Sequence, residues 1–328
     1  MLFSCNGSFN ESDKMLSGQA LKAIFKMNKY LYKFTDLSPK HTLELFDKLI
    51  LPILSYSSEI WGFNKGTQVE RIHLGFCKRL LGVKVKTQNA FIYGDTGRLN
   101  LQTRRNINII KYWLKICNTH ESKYIKKVYI CLKTYSDLNP SKTNWVSQVK
   151  NLLSRLGYFD VWLSQGVVDE KIFILHLKQR IKDVYAQELS TVLNESSRAI
   201  FYKNIFDFRF SEYLNILTIR KYRIALSKLR LSSHRLAVET GRWRKPESVP
   251  YVNRKCLSCN VLDDEYHFVL KCKDFFELRK LHIRKYFWRH PSFFKFLQLL
   301  KSENNNDVRN LAIYIYKAFD IRNNIISV

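Results

Sequence analysis

Three cysteines and one histidine between residues 256 and 272 have the types and the spacing of a metal site. They read C-x2-C-x7-H-x4-C and comprise Cys256, Cys259, His267 and Cys272. Zinc binds four sulfur or nitrogen ligands in a tetrahedron, and a C-x2-C turn supplies two of the thiolates. Because four protein ligands leave no open coordination position, the motif predicts one structural Zn²⁺ ion and not a catalytic one.

The other four cysteines have no such neighbours. They are Cys5, Cys77, Cys117 and Cys131, and Cys77 and Cys117 fall on or beside apolar faces of predicted helices. A cysteine in that setting behaves as a small buried hydrophobe. An odd total of seven cysteines, three of them clustered, favours a reducing compartment with one metal site over a disulfide framework.

Positive charge is the strongest compositional signal. The chain has 55 Lys and Arg against 28 Asp and Glu, a formal net charge of +27, which favours an anionic partner such as nucleic acid. The charge is densest at residues 216–245, where Glu239 is the only acid. A helix there can bury one apolar face and present cations to phosphates, and Trp243 can stack on a base. The candidate contacts are Arg220, Lys221, Arg223, Lys228, Arg230, Arg235, Arg242, Trp243 and Arg244, with Lys245 ending the segment; a second basic stretch occupies residues 104–127.

The elements that must position these residues are predicted to be helices. Only 11 Gly and 6 Pro interrupt 328 residues, which disfavours a turn-rich sandwich or barrel. Apolar residues recur at helical spacing over about residues 14–34, 169–194 and 213–231. Ser38 before Pro39 is typical of a helix start, Thr67 with Glu70 has the capping-box pattern, and residues 93–97 predict a turn-rich break. The predicted fold class is mainly α, with a helical domain at 1–138, a helical basic region and connector at 139–250, a zinc knuckle at 251–280 and C-terminal helices at 281–328.

Nothing in the sequence predicts a membrane or secreted protein. The first residues lack a basic stretch followed by a sustained apolar run, so no signal peptide is expected. No apolar run reaches about 18 residues, the minimum for a transmembrane helix. We therefore expect an intracellular protein, nuclear or cytoplasmic, with no membrane partner.

Six short blocks follow one another along about residues 16–280. They are residues 45–54 (LFDKLILPIL), 59–62 (EIWG), 76–84 (FCKRLLGVK), 93–98 (YGDTGR), 239–243 (ETGRW) and 264–267 (DEYH), the last inside the Cys/His motif. In this order they resemble the segment that follows the polymerase core in LINE-type, non-LTR retrotransposon reverse transcriptases. In that family a thumb-like helical region and a C-terminal CCHC knuckle follow the palm and hold template RNA and target DNA.

The resemblance implies a thumb-like bundle within residues 14–130 and nucleic-acid contacts within residues 213–280. Polymerisation by two metal ions needs carboxylates held close together, which the family supplies partly from a Tyr-x-Asp-Asp hairpin. This sequence has no such motif, and its only Asp-Asp pair, Asp263 and Asp264, lies inside the knuckle. We therefore expect a noncatalytic RNA- or DNA-binding fragment that resembles part of an RNA-directed DNA polymerase, and not an enzyme.

Three alternatives remain open. One is a protein-interaction scaffold whose charge serves only solubility, and another is part of a split polymerase whose palm is encoded upstream. The third is a nuclease built on Asp307 and Asp320; these acids bracket one amphipathic pattern without a strand, which favours structural helix ends. Salt-sensitive RNA binding distinguishes nucleic-acid binding from the scaffold, and metal-dependent strand cleavage would reveal the nuclease.

Overall fold

The protein is mainly α-helical, as predicted. The computed structural model describes residues 8–31, 37–244 and 246–327, and it is 69% helical. Within these residues the β-structure is limited to one antiparallel bridge between Lys255 and Leu262. The first nine α-helices are α1 Asn10–Leu31, α2 Pro39–Leu49, α3 Leu51–Leu54, α4 Ser58–Trp61, α5 Thr67–Leu81, α6 Asn89–Thr96, α7 Leu101–Cys117, α8 Tyr124–Leu138 and α9 Trp145–Arg155. They are followed by α10 Phe159–Ser164, α11 Glu170–Glu195, α12 Tyr213–Ile216, α13 Arg220–Arg230, α14 Ala237–Thr240, α15 Phe276–His282, α16 Lys285–Trp288, α17 Phe293–Leu300 and α18 Asn305–Ser327.

The chain forms two compact units, each assembled from separate stretches of sequence. Unit 1 takes the described parts of residues 1–34, 44–73 and 99–191, and unit 2 those of residues 35–43, 74–98 and 192–328. The four consecutive segments expected from the sequence differ from this division. The difference arises because residues 74–98 pack with the C-terminal half of the chain, a long-range choice that local periodicity does not record.

The long N-terminal helix and the following helix start are confirmed. Leu16, Ala20, Ile24 and Met27 are buried along α1, as their spacing predicts. Pro39 opens α2, where the backbone N–H of Thr42 donates to the Ser38 carbonyl at 3.0 Å.

The N-terminus of α5 is capped by a residue from another helix. Asp13 of α1 accepts the backbone N–H groups of Gln68 at 3.0 Å and Val69 at 2.9 Å. The predicted capping box is wrong, because Glu70 instead accepts the N–H of Leu101 at 2.7 Å. Side-chain caps of this kind contribute about 0.5–2 kcal/mol, so α1, α7 and the N-terminal part of α5, which lies in unit 1, stabilise one another.

The core of unit 1 is built around stacked tryptophans. Trp113 of α7 and Trp162 of α10 have ring centroids 5.9 Å apart. The indole N–H of Trp113 donates to the Tyr129 hydroxyl at 3.0 Å. The Tyr129 hydroxyl in turn donates to the side-chain oxygen of Gln165 at 2.6 Å. Burial raises the pKa of Tyr129 to about 12. The hydroxyl therefore stays neutral and satisfies the only polar atom of the buried indole.

Arg105 of α7 is also interior. It is 1% exposed, its Cζ lies 5.1 Å from the Trp61 ring centroid, and Nη2 donates to the Lys65 carbonyl at 2.9 Å and to Gln102 at 2.6 Å. Arg105 is therefore unavailable to a ligand, although it lies in the second basic stretch.

Unit 2 is organised by α13 packing along α18. Leu226 and Leu229 of α13 and Leu311 and Ile315 of α18 are buried. Asp307 and Asp320 both fall within α18, so Asp320 is not at a helix end as predicted. Among the described helices none has the length and apolar character to span a bilayer.

Two local predictions in unit 2 are wrong. The basic helix expected over residues 213–231 is broken into α12 and α13, because the Arg223 side chain bonds the carbonyls of Leu217 and Thr218 between them. The expected break at residues 93–97 is mostly helix, since α6 continues to Thr96 and only Gly97, with φ of 59°, turns away.

Candidate metal centre and basic surface of unit 2

Cys256 and Cys259 lie in a tight turn. The N–H of Cys256 donates to the Val261 carbonyl at 2.8 Å, and the N–H of Asn260 donates to the Cys256 carbonyl at 2.9 Å. Asn260 has a φ of 54°, the left-handed conformation that asparagine tolerates better than most residues. The turn therefore directs both thiols to one side, as the C-x2-C spacing predicts.

His267 is the first residue of one turn of π-helix, His267–Lys271, and Cys272 follows its end. The Asp264 carboxylate accepts the His267 N–H at 2.7 Å, and the Cys272 N–H donates to the His267 carbonyl at 2.7 Å. Arg279 of α15 then donates to the Cys272 carbonyl at 2.6 Å. A π-helical turn has more residues than an α-helical turn. These bonds hold that turn in place, so that the side chains of His267 and Cys272 meet in one cluster although four residues separate them.

The four ligand atoms form a cluster that fits a metal ion. One donor atom from each of the four residues lies within 4.8 Å of the others. The Cys272 sulfur is 4.0 Å from that of Cys256 and 3.9 Å from that of Cys259. A tetrahedral ion with bonds of about 2.3 Å to sulfur requires about 3.8 Å between sulfurs. The cluster therefore needs little movement to close on an ion.

Three buried polar atoms at the cluster have no hydrogen-bond partner among the described residues. Both ring nitrogens of His267 are buried without a hydrogen bond, and so is Oδ1 of Asp263, a carboxylate that is 0% exposed. Burial lowers the pKa of His267, and the charge of Asp263 opposes that change. Burial and the thiols of Cys256 and Cys259 raise the pKa of Cys272. A bound cation would be coordinated by one histidine nitrogen and three thiolates, which removes the cost of burying that nitrogen and stabilises the thiolate form of the cysteines.

Carboxylates next to the cluster tie it to the segment 232–237. Glu265 accepts from His234 at 2.8 Å and from Ser232 at 3.1 Å. Asp263 accepts the Ala237 N–H at 2.6 Å and is ion-paired with Arg322 of α18. The conformation of segment 232–237 therefore depends on the two acids that precede His267.

Arg230, one of the predicted nucleic-acid contacts, lies in a buried ion pair. Its Nε and Nη2 each lie 3.2 Å from an oxygen of Asp95, and Nη1 donates to the Leu300 carbonyl at 2.9 Å. The hydroxyls of Tyr202 and Tyr213 also donate to Asp95, at 3.1 and 2.9 Å. Burial and the Asp95 charge raise the pKa of both tyrosines, so both remain neutral donors.

Arg223 is the second interior arginine of the predicted set. It is 7% exposed and Arg230 is 6% exposed. All three nitrogens of the Arg230 guanidinium are bonded, whereas Arg223 donates through Nη1 and its Nε is buried without a partner among the described residues. Both side chains lie on α13, and neighbouring parts of the chain cover them. We therefore correct the prediction and remove Arg223 and Arg230 from the phosphate contacts.

The other predicted nucleic-acid contacts differ in whether their side chains are bonded within the protein or exposed to solvent. Arg242 is held by Glu239 at 3.0 Å and by the Ser197 carbonyl at 2.8 Å. Trp243 is 61% exposed, with Lys86 and Arg198 at 5.9 and 5.7 Å from its ring centroid. Lys245 lies outside the described residues. The remaining cations reach solvent, Lys228 only in part: Arg220, Lys221, Lys228, Arg235 and Arg244.

The scattered cysteines differ in exposure. Cys77 is buried, as predicted, Cys117 is half-buried and Cys131 is exposed; Cys5 lies outside the described residues. Burial raises the pKa of Cys117, which keeps this thiol protonated and unreactive.

Sequence reasoning missed Asp95 and Lys84. Asp95 sat in the predicted break, and its partner Arg230 is 135 positions away. Lys84 lies outside the dense basic segment, yet its ammonium donates to the His234 carbonyl at 2.9 Å. Each contacts a residue more than 130 positions away in the sequence, which local sequence patterns do not record.

The assignment of a metal site is supported by the sequence spacing and the geometry of Cys256, Cys259, His267 and Cys272. Its four side chains come from one continuous stretch within unit 2. No protein-family model matches the chain, and no curated protein or solved structure matches it either.

Proposed function

We propose that the chain binds nucleic acid through unit 2 and is not an enzyme. One observation carries the proposal. Five cations of the dense basic segment have no carboxylate within ion-pair distance among the described residues, although the unit uses other arginines in ion pairs. Unpaired surface cations at this density attract polyanions and gain affinity by releasing condensed counterions. The five are Arg220, Lys221, Lys228, Arg235 and Arg244.

The proposed ion at the four-ligand cluster is zinc, in a structural role. Three thiols and an imidazole match its preference among common divalent ions. With all four positions taken by protein, the ion has none left for a substrate. Its task is to fold the knuckle and to hold the acids at positions 263 and 265.

We also propose that the chain corresponds to the C-terminal region of a LINE-type reverse transcriptase. The order of the six blocks and the Cys/His knuckle support this placement. A part of a split polymerase, acting beside a separately encoded palm, is compatible with the same residues. In that case the chain would add affinity for template or target and supply no catalytic carboxylate.

Single-stranded RNA binding by the wild-type chain is expected to weaken steeply with salt. Each phosphate contact on a single strand contributes about −0.7 to the slope of log affinity against log salt, so the five free cations give about −3 to −4. Filter binding over a series of salt concentrations measures the slope. A slope near zero, or no binding at low salt, contradicts the proposal.

A protein-interaction scaffold is the second candidate, favoured by α8 of unit 1. Tyr124, Val128 and Leu138 of this helix are 86%, 56% and 76% exposed, and Tyr129 is its buried side chain. Exposed apolar faces of this kind often contact other proteins. If the chain binds no single-stranded RNA at any salt concentration, the scaffold becomes the favoured function.

A further inference from the structure

Unit 2 contains a cleft of about 430 Å³ whose walls carry three cations. Cavities of about 300–1,000 Å³ are the size that holds small ligands or parts of larger ones. The cleft lies between the end of α5, the C-terminal part of α13, segment 233–235 and α18. Its lining includes Gly82, Lys84, Lys228, His234, Arg235 and Phe319.

The walls of the cleft are fixed by hydrogen bonds. The backbone N–H of Lys84 donates to the Ser233 hydroxyl at 2.9 Å, and Thr87 donates to the same oxygen at 3.2 Å. Gly82 has a φ of 67°, and a Cβ on it would lie 2.6 Å from Ile224 of α13. Only glycine allows this close approach. The turn after α5 is therefore held against α13, and Lys84, which follows the turn, lines the cleft.

The cleft carries three cations and no carboxylate among its lining residues. Among the described residues no carboxylate lies within ion-pair distance of Lys84, Lys228 or Arg235. Partial burial lowers the pKa of Lys84, and Glu239 opposes that change. Arg235, Lys228 and Arg198 lower it further. An anion in the cleft would relieve this repulsion among neighbouring cations.

An exposed aromatic ring, that of Trp243, lies next to Lys86, two residues after the cleft residue Lys84. Lys86, two residues after Lys84, lies over the Trp243 ring, and its carbonyl accepts from Arg198 at 3.2 Å. Arg198 also lies over the Trp243 ring. Segment 84–86 thus connects the cationic cleft to an exposed indole flanked by two cations, an arrangement suited to stacking of a base.

We infer that this cleft binds a phosphodiester of single-stranded nucleic acid, with Lys84, Lys228 and Arg235 around the phosphate and Trp243 stacked on a neighbouring base. The inference rests on the proposed function and specifies where the strand lies. A single strand is required because a base inside a duplex has no free face for Trp243. Lys84 and Trp243 belong to distant parts of the sequence, so the site exists only in the folded unit.

Removal of the cleft charges tests the inference. The variant Lys84→Gln/Lys228→Gln/Arg235→Gln is compared with wild type in single-stranded RNA binding over a salt series. We expect the slope to become shallower by about two units, since three contacts at about 0.7 each are lost. The matched control, Lys171→Gln/Lys178→Gln/Lys182→Gln on the exposed face of α11, should keep the wild-type slope.

A charge-conserving variant separates charge from folding. Lys84→Arg/Lys228→Arg/Arg235→Lys keeps three cations in the cleft and should retain the wild-type slope. If it loses binding as fully as the Gln variant, the cleft residues act through structure and the inference is wrong. If the Gln variant binds as wild type does, the strand lies elsewhere while the proposed function stands. If wild type itself fails to bind, the proposed function falls.

Trp243 provides an independent readout. Trp243→Ala should weaken binding to single-stranded RNA by about 5- to 150-fold, the usual effect of losing one stacked base, without changing the salt slope. Trp243→Phe keeps a ring and should recover most of the affinity. Equal affinity of Trp243→Ala and wild type would overturn the stacking part of the inference.

Discussion

Chelation of the proposed zinc ion is expected to unfold residues 251–282 while the helices of unit 1 stay folded. The segment contains short helical turns and one β-bridge, too little regular structure to fold without the ion. Structural zinc contributes about 10–16 kcal/mol in zinc-finger peptides. Hydrogen exchange of the full chain before and after chelation should show protection lost in this segment and kept in α7 and α9.

The same treatment should weaken RNA binding. Glu265 holds His234 and Ser232, and the Lys84 ammonium donates to the His234 carbonyl. Because segment 232–237 forms one wall of the cleft, loss of the knuckle removes the support of Lys84 and Arg235. A chelated chain that binds RNA as tightly as the untreated chain would separate the metal centre from the binding surface.

Metal analysis gives the stoichiometry. Purified wild-type chain should carry one equivalent of zinc, and Cys256→Ser/Cys272→Ser should carry none. Cys131→Ser is the matched control, since Cys131 is exposed and outside the cluster, and it should keep the full equivalent. Zinc retained by the double variant would place the ion elsewhere in the chain.

Arg230→Ala is expected to destabilise unit 2 by about 3–5 kcal/mol, because it leaves the Asp95 carboxylate buried without its cation. Two tyrosine hydroxyls continue to donate to Asp95, but neutral donors do not replace the charge. Arg230→Met/Asp95→Leu removes both charges and should recover most of the loss, since an apolar pair of similar volume is often as stable as a buried ion pair. Urea unfolding followed by far-UV circular dichroism measures the change.

The control for this prediction is Arg235→Ala on an exposed side chain nearby. It should change the free energy of unfolding by less than about 0.5 kcal/mol, whereas the phosphate-contact hypothesis treated the two arginines alike. An Arg230→Ala variant as stable as Arg235→Ala would contradict the buried ion pair.

Local signals predicted the local features of the molecule. All four metal ligands fall between residues 256 and 272, so their spacing alone was enough to identify the cluster. The same holds for α1, whose buried residues follow one helical face, and for Pro39 at the start of α2. In each case the deciding contacts lie within a few turns of chain.

Features that depend on contacts between residues far apart in the sequence were not predicted. The cap of α5 comes from Asp13, 55 positions before Gln68, so the local Thr67 pattern was misleading. Arg223 and Arg230 lie on the flank of an amphipathic helix, where exposure depends on what packs beside it. Lys84 joins the cleft through Ser233, 149 positions away. Composition predicted a basic surface but could not select its members.

Nucleic-acid binding by unit 2 is tested most directly by photocrosslinking. Wild-type chain is irradiated with single-stranded RNA that contains 4-thiouridine, and the crosslinked peptides are identified by mass spectrometry. We predict crosslinks within residues 82–87 and 228–244, which include the cleft cations and Trp243. Crosslinks confined to residues 104–127 of unit 1 would contradict the assignment of the binding surface to unit 2.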